Sequence, residues 1–164
     1  MPLTDSLQKI LIRDLRAFGR EIALFPDDTS LWAVLPGLTN SSGNLALHVA
    51  GNLQHFIGTV LGGTDYLRDR DREFAQRSGT RQQLRALLDQ TARVIERVLP
   101  RLDAPALAAP YPAAPGGLAV STGTWLLHLA THLAFHLGQA GALRRALTGS
   151  SVTAGAMGLK ELQE

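Results

Sequence analysis

Residues 125–143 read WLLHLATHLAFHLGQAGAL. They hold His128, His132 and His136, three of the five histidines, each four residues after the last. On an α-helix a step of four residues turns the side chain by about 400°, so each imidazole stands about 40° round from its predecessor. Two of them one turn apart can bite one metal ion. From Leu118 to Leu143 there is no Asp, Glu, Lys or Arg. A helix so poor in charge is expected to be the most buried of the fold. Buried imidazoles then need partners, because an unpaired buried polar group costs about 1–3 kcal/mol. A shared metal ion would satisfy them in one step.

The other two histidines, His48 and His55, lie on a second charge-free stretch from Ser42 to Leu61 that ends at Gly62-Gly63. Their helical stripe reads Asn44, Leu45, His48, Gly51, Asn52, His55 and Thr59, polar and small for a helix without charge. The matching stripe of the later helix is Trp125, His128, His132, His136 and Gln139. Two such stripes facing one another could line a cavity. One ligand from the earlier helix and two from the later one make a three-histidine site, which suits Zn²⁺ and leaves a coordination position open. Nickel, cobalt or iron also accept imidazole. Neither helix carries a carboxylate. The zinc-protease motif needs a Glu after its first ligand and finds Leu133 after His132, and a di-iron bundle needs four Glu. Three neutral ligands leave an ion its full 2+ charge, able to lower the pKa of a bound water or thiol without a neighbouring base.

Outward from these helices the pattern stays helical. Leu7, Leu11, Leu15, Phe18 and Ile22 recur at helical spacing in a first amphipathic helix, with Thr4 as its candidate cap and Pro26 as its stop. Thr80 and Gln83 form a capping-box pattern that opens a third helix, striped by Leu84, Leu88, Thr91, Ile95 and Val98 and ended near Pro100. A fourth helix spans about Ser121 to Leu147. Between the second and third helices TDYLRDRDREFAQRSG alternates in charge, and its run from Arg68 to Glu73 reads as a solvated loop. Residues 103–117 are rich in Ala, Pro and Gly and cannot be helical throughout. No stretch alternates with period two. The fold is therefore expected to be all-α, a four-helix bundle over residues 1–147, with a Gly-rich tail over 148–164 that is weakly structured or packs on a neighbour. Connections of about 14 to 20 residues exceed the 2 to 8 that a plain up-down bundle needs, so a crossover is expected.

The chain has 164 residues, 45% of them hydrophobic, and a net charge of +2. That is enough for one domain with a sizeable core, and gives nucleic acid no basic patch to hold. With no Cys, disulfides are excluded and any reacting thiol must arrive with a ligand. The charge-free stretches are broken by His, Asn, Gln, Thr or Gly, so no membrane span is expected. Asp5 and Lys9 interrupt what a signal peptide would need, and a cytoplasmic location is expected.

The text LLHLATHLAFHLGQ, an HxxxH pair followed by Gly138-Gln139, resembles the signature of the DinB/YfiT-like superfamily of metal-dependent bundles. GNLALHVAGNLQHFIG is similar to the second helix of that superfamily, and RDRDREF resembles a loop motif of one branch. The likeness spans roughly residues 30 to 147. It implies an up-down-down-up four-helix bundle, a homodimer, and His48, His132 and His136 as the metal ligands. His128 matches an accompanying histidine that is not counted among them. Phe135 and Leu137 stand where many relatives carry a second His and an Arg. Members resembling this chain include transferases and isomerases that use bacillithiol, mycothiol or glutathione. The implied function is transfer of such a low-molecular-weight thiol to an electrophile by metal activation, with Asn52, His55, His128 and Gln139 as candidates to orient ligands or substrate. The alternatives are a metal-dependent hydrolase and a non-catalytic metal-binding stress-response protein.

Overall fold

A computed structural model describes residues 2–163. In chain order the helices are α1 (Leu3–Ala23), α2 (Asp28–Leu31), α3 (Ser42–Leu53), α4 (Arg70–Ala75), α5 (Arg81–Val98), α6 (Ala104–Ala108) and α7 (Thr122–Thr148). A π-helical stretch, Gln54–Thr59, and a last turn, Val60–Gly62, continue α3 without a break. Short 3₁₀ turns follow α5 and precede α7. No strand forms among the described residues; one isolated bridge pairs Pro110 with Ser121. The chain is all-α, and α1, α3, α5 and α7 form the bundle.

The long helices begin where side chains can hold free N–H groups. Thr80 and Gln83 close a capping box on α5, and Ser41 with Asn44 closes one on α3. Ser121 accepts from the Thr124 N–H at the start of α7. Thr4 does not cap α1: the helix begins at Leu3 behind Pro2, and Thr4 is buried instead. Burial then sets the packing. Leu7, Leu11, Leu15, Phe18 and Ile22 of α1 meet Leu84, Leu88 and Ile95 of α5 and Leu126, Leu133 and Leu137 of α7 in one core, each full burial stabilising by about 1.5–3 kcal/mol.

Helix directions follow from the ties at their ends. Arg81, at the start of α5, donates to Phe25 O just beyond the end of α1. Ser42, at the start of α3, donates to Ala140 O near the end of α7. Gln54 and Thr91 tie the middles of α3 and α5, and Arg144 and Glu21 tie the ends of α7 and α1. So α1 and α7 run one way while α3 and α5 run the other. α1 packs on α5 and α7, and α3 packs on the same two, closing a four-membered ring.

Two expectations change. It is α3, not α7, that is the most buried helix: every residue from Ser42 to Leu53 except Leu47 is buried. α7 has no charge up to Leu143, yet it presents Leu127 (49% exposed) and Phe135 (62% exposed) outward with Thr131, Gly138 and Ala142. Absence of charge marked a face without ion pairs, not a face without solvent. The run from Arg68 to Glu73 is not a solvated loop either, since it turns into α4 and buries Glu73. Among the described residues no helix is long and apolar enough to cross a membrane.

Beyond Gly149 the chain folds back on its own bundle. Glu21 and Arg144 form a buried ion pair at 2.5 Å, and Glu21 also accepts from the Ala154 N–H while Arg144 donates to Val152 O. Arg20 adds bonds to Ala154 O (2.7 Å) and Glu161 (2.9 Å). Substituting Arg144→Leu would leave Glu21 buried and uncompensated. The expected loss is about 3–5 kcal/mol in urea unfolding, with new protease cleavage between residues 149 and 163. Unchanged stability would contradict the role assigned to the pair.

Candidate metal centre

The site is assembled where α3 crosses α7. His48 leaves α3, and His132 and His136 leave α7 one turn apart, so the i, i+4 pair and the facing helix supply three imidazoles to one point. His48 Nε2 lies 3.2 Å from His132 Nε2, and His136 Nε2 lies 3.1 Å from the same atom. One ligand atom from each of the three falls within 4.8 Å of the others. Tetrahedral Zn–N bonds of about 2.0–2.1 Å place two nitrogens about 3.3 Å apart. The observed spacing therefore fits one ion.

The other sides of the rings show why these nitrogens are free. His48 Nδ1 lies 2.9 Å from Glu73 Oε2. Arg68 Nη2 stands 3.3 Å from the same nitrogen. A carboxylate can only accept, so Nδ1 carries the proton and donates to Glu73. In the neutral ring Nε2 is then a bare lone pair. His136 Nδ1 faces Gln139 Oε1 at 2.8 Å and donates to it, which bares its Nε2 as well. At most one proton on His132 Nε2 could bridge to one of them. A divalent cation matches this donor set.

Protonation is resisted as well. Burial, then the neighbouring charges of His136 and His48, push the His132 pKa down to about 4. Burial also lowers that of His136, against the opposing Gln139 hydrogen bond. At Glu73 burial works to raise the pKa, but hydrogen bonds from Arg68 and His48 outweigh it, and the carboxyl stays below its ordinary value.

The remaining expected residues divide. Gln139 supports His136 and also lines an apolar groove of about 390 Å³ with Leu35, Leu38, Leu45 and Leu143. His128 is exposed, stacks on Trp125 at 4.8 Å and stands 5.9 Å from the His132 ring. Asn52, one turn from His48, is buried, and its Oδ1 has no hydrogen-bond partner among the described residues. His55 does not join the cluster. Seven residues on from His48, it stands two turns, about 10 Å, further along the helix axis, at the start of the π-helical stretch. Its ring lies against Phe56 instead.

Periodicity missed Glu73, Arg68 and Phe74. Arg68 grips both oxygens of Glu73 at 2.8 Å, and the Phe74 ring lies 4.7 Å from the His48 ring. Two signals pointed to them: an apolar Phe inside a charged run, and Gly51 in mid-helix three residues after His48.

A model of the DinB superfamily matches residues 12–140. The chain therefore belongs to the DinB superfamily. Among solved structures it is similar to a conserved protein of Enterococcus faecalis, with a TM-score of 0.73 and 18% identity over 92% of this chain and 99% of that one, a likeness of fold alone. No curated protein gives a significant match.

The depressed histidine pKa values set a pH dependence. As pH falls from 6.5 toward about 4, the unfolded chain takes up protons that folded His132 and His136 refuse. The unfolded state then binds more protons, so metal-free protein should lose stability across that window. Thermal unfolding in chelator should show the midpoint falling between those pH values, with a shallower fall in His132→Gln. A flat profile would contradict the assignment.

Proposed function

We propose that this protein binds one divalent metal ion through His48, His132 and His136, zinc foremost with nickel, cobalt or iron as possible occupants, and uses it to transfer a small-molecule thiol to an electrophile. The single observation that carries this is the convergence of three imidazole nitrogens, two of them, on His48 and His136, in rings whose opposite nitrogens are already bonded. Bound there, the ion would supply Lewis acidity that lowers the pKa of a thiol in its open position. The chain has no Cys of its own, so the thiol comes with the substrate.

The surroundings favour a thiol over water. Glu73 is the carboxylate nearest the triad in the bonding network, and it is locked behind His48 by Arg68, on the side away from the nitrogens that converge. It is not placed to take a proton from an attacking water. A thiol, whose free pKa of about 8.5 lies well below that of water, would lose its proton on coordination more readily than a bound water without such a base. The thiol proton leaves to solvent, the sulfur pair forms the new S–C bond, and a halide departs with its own pair or an epoxide opens. The groove beside Gln139 suits an apolar body.

Protein purified without a histidine tag should contain one equivalent of metal, lost in His132→Ala. With metal present it should conjugate one of bacillithiol, mycothiol, glutathione or cysteine to a chlorodinitrobenzene, and His48→Ala should abolish the rate. Metal-dependent ester or amide hydrolysis with no thiol accelerated would replace transfer by a hydrolase. Metal binding with neither activity would leave a binding protein.

We also propose a homodimer. The outward, uncharged strip of α7 at Leu127, Thr131, Phe135, Gly138 and Ala142 supports it as an apolar surface. Sedimentation velocity at tens of micromolar should give a dimer, weakened by Leu127→Glu, and a monomer for the parent protein would exclude it.

A further inference from the structure

We propose that Glu73 is the positioning carboxylate of the metal centre, kept in charge balance by Arg68, and that Gly51 is required to leave it room. This rests on the metal-binding role given to the three histidines above. Glu73 arrives from α4, outside the bundle, and its side chain reaches His48 through the face of α3. Each of its oxygens is occupied: Oε2 accepts from His48 Nδ1 (2.9 Å) and Arg68 Nη2 (2.8 Å), and Oε1 accepts from Arg68 Nε (2.8 Å). A carboxylate bonded to the far nitrogen of a ligand imidazole fixes its tautomer and ring orientation and makes it a better donor. Here that bond turns His48 Nε2 toward His132.

Placement of α4 is organised around this contact. The Asn44 side chain, buried at the start of α3, donates to Glu73 O and Gln76 O, both at 2.9 Å, and so grips the short helix from the bundle side. Phe74 lays its ring against His48. Asp69 caps α4 by accepting from the Arg72 N–H. Burying a lone carboxylate beside a neutral imidazole would cost several kcal/mol. The two-point Arg68 grip offsets that cost and keeps Glu73 an acceptor for His48.

Gly51 gives the independent observation. It sits in the middle of α3, three residues after His48, where Gly weakens a helix relative to Ala. Its φ is ordinary, so no turn requires it. A Cβ there would lie 2.1 Å from Glu73 Oε1 and 2.9 Å from its Cδ. Both carboxylate atoms are pinned by Arg68 and His48 and cannot retreat without breaking those bonds. Helix stability is given up at this position for space that the carboxylate fills.

The test is a metal-affinity cycle on full-length protein, read by competition for Zn²⁺ with a chromogenic chelator and by the ligand-field spectrum of the Co²⁺ form. Thermal unfolding of each metal-free variant controls for folding. Glu73→Ala should weaken Zn²⁺ binding about 10–100-fold. Glu73→Gln, which keeps an acceptor without the charge, should fall between it and the parent. Gly51→Ala touches no ligand yet should weaken binding to a similar extent as Glu73→Ala, with a shifted Co²⁺ spectrum. The double variant should bind no more weakly than Glu73→Ala alone, because the carboxylate is what the added methyl displaces, its one other near neighbour being the Tyr66 hydroxyl at 3.3 Å. Glu73→Ala binding as tightly as the parent, or losses that add in the double variant, would overturn the inference alone. A parent protein that binds no metal would overturn the metal reading and this inference together.

Discussion

Three imidazole lone pairs aimed at one point repel one another unless something positive stands between them. In this bundle they cannot turn away, because His48 and His136 spend their Nδ1 protons on Glu73 and Gln139. A proton on His132 Nε2 could bridge to only one of the other two, and burial drives the His132 pKa down to about 4, which resists a second proton. The fold therefore holds a cluster of donors that could take a cation. The crossing of α3 over α7, the short helix α4 and the apolar core beneath serve to keep that cluster in place.

Charge is used in the interior by one rule. Of three buried carboxylates, Asp14 pairs with its neighbour Arg13, while Glu73 and Glu21 are each matched by a more distant arginine, Arg68 and Arg144. One of these two pairs bonds His48 and the other seats the returning tail against α1. In both, the arginine bonds the carboxylate directly, so neither buried charge is left alone. The remaining interior polar groups of α3 are neutral: Ser42, Asn44, His48 and Asn52. This lets a charge-free helix carry both a capping box and a site.

The long helices were legible because they repeat. The capping box at Thr80 and Gln83 and the cap at Ser121 are local chemistry, and the structure starts α5 and α7 one residue after each. The grouping of His132 with His136 follows from their spacing, and His48 came from the family resemblance. The parts that were not legible lack a period. α4 has six residues, too few to show a stripe, and its alternating charges look like those of a solvated loop. The π-helical stretch left no mark in the pattern. Burial of α7 was overestimated because composition reports charge, while exposure depends on which neighbours the fold supplies. Glu73 joins His48 across twenty-five residues of chain, and only the apolar Phe74 beside it and the unexplained Gly51 hinted at it.

X-ray absorption at the Zn edge of metal-loaded protein addresses the central claim most directly. Three nitrogen scatterers at about 2.0–2.1 Å with imidazole outer-shell features, plus one further light ligand, are predicted. A shell of six oxygens, or only one or two imidazoles per ion, would contradict the account, because the three converging nitrogens would then not be what holds the metal.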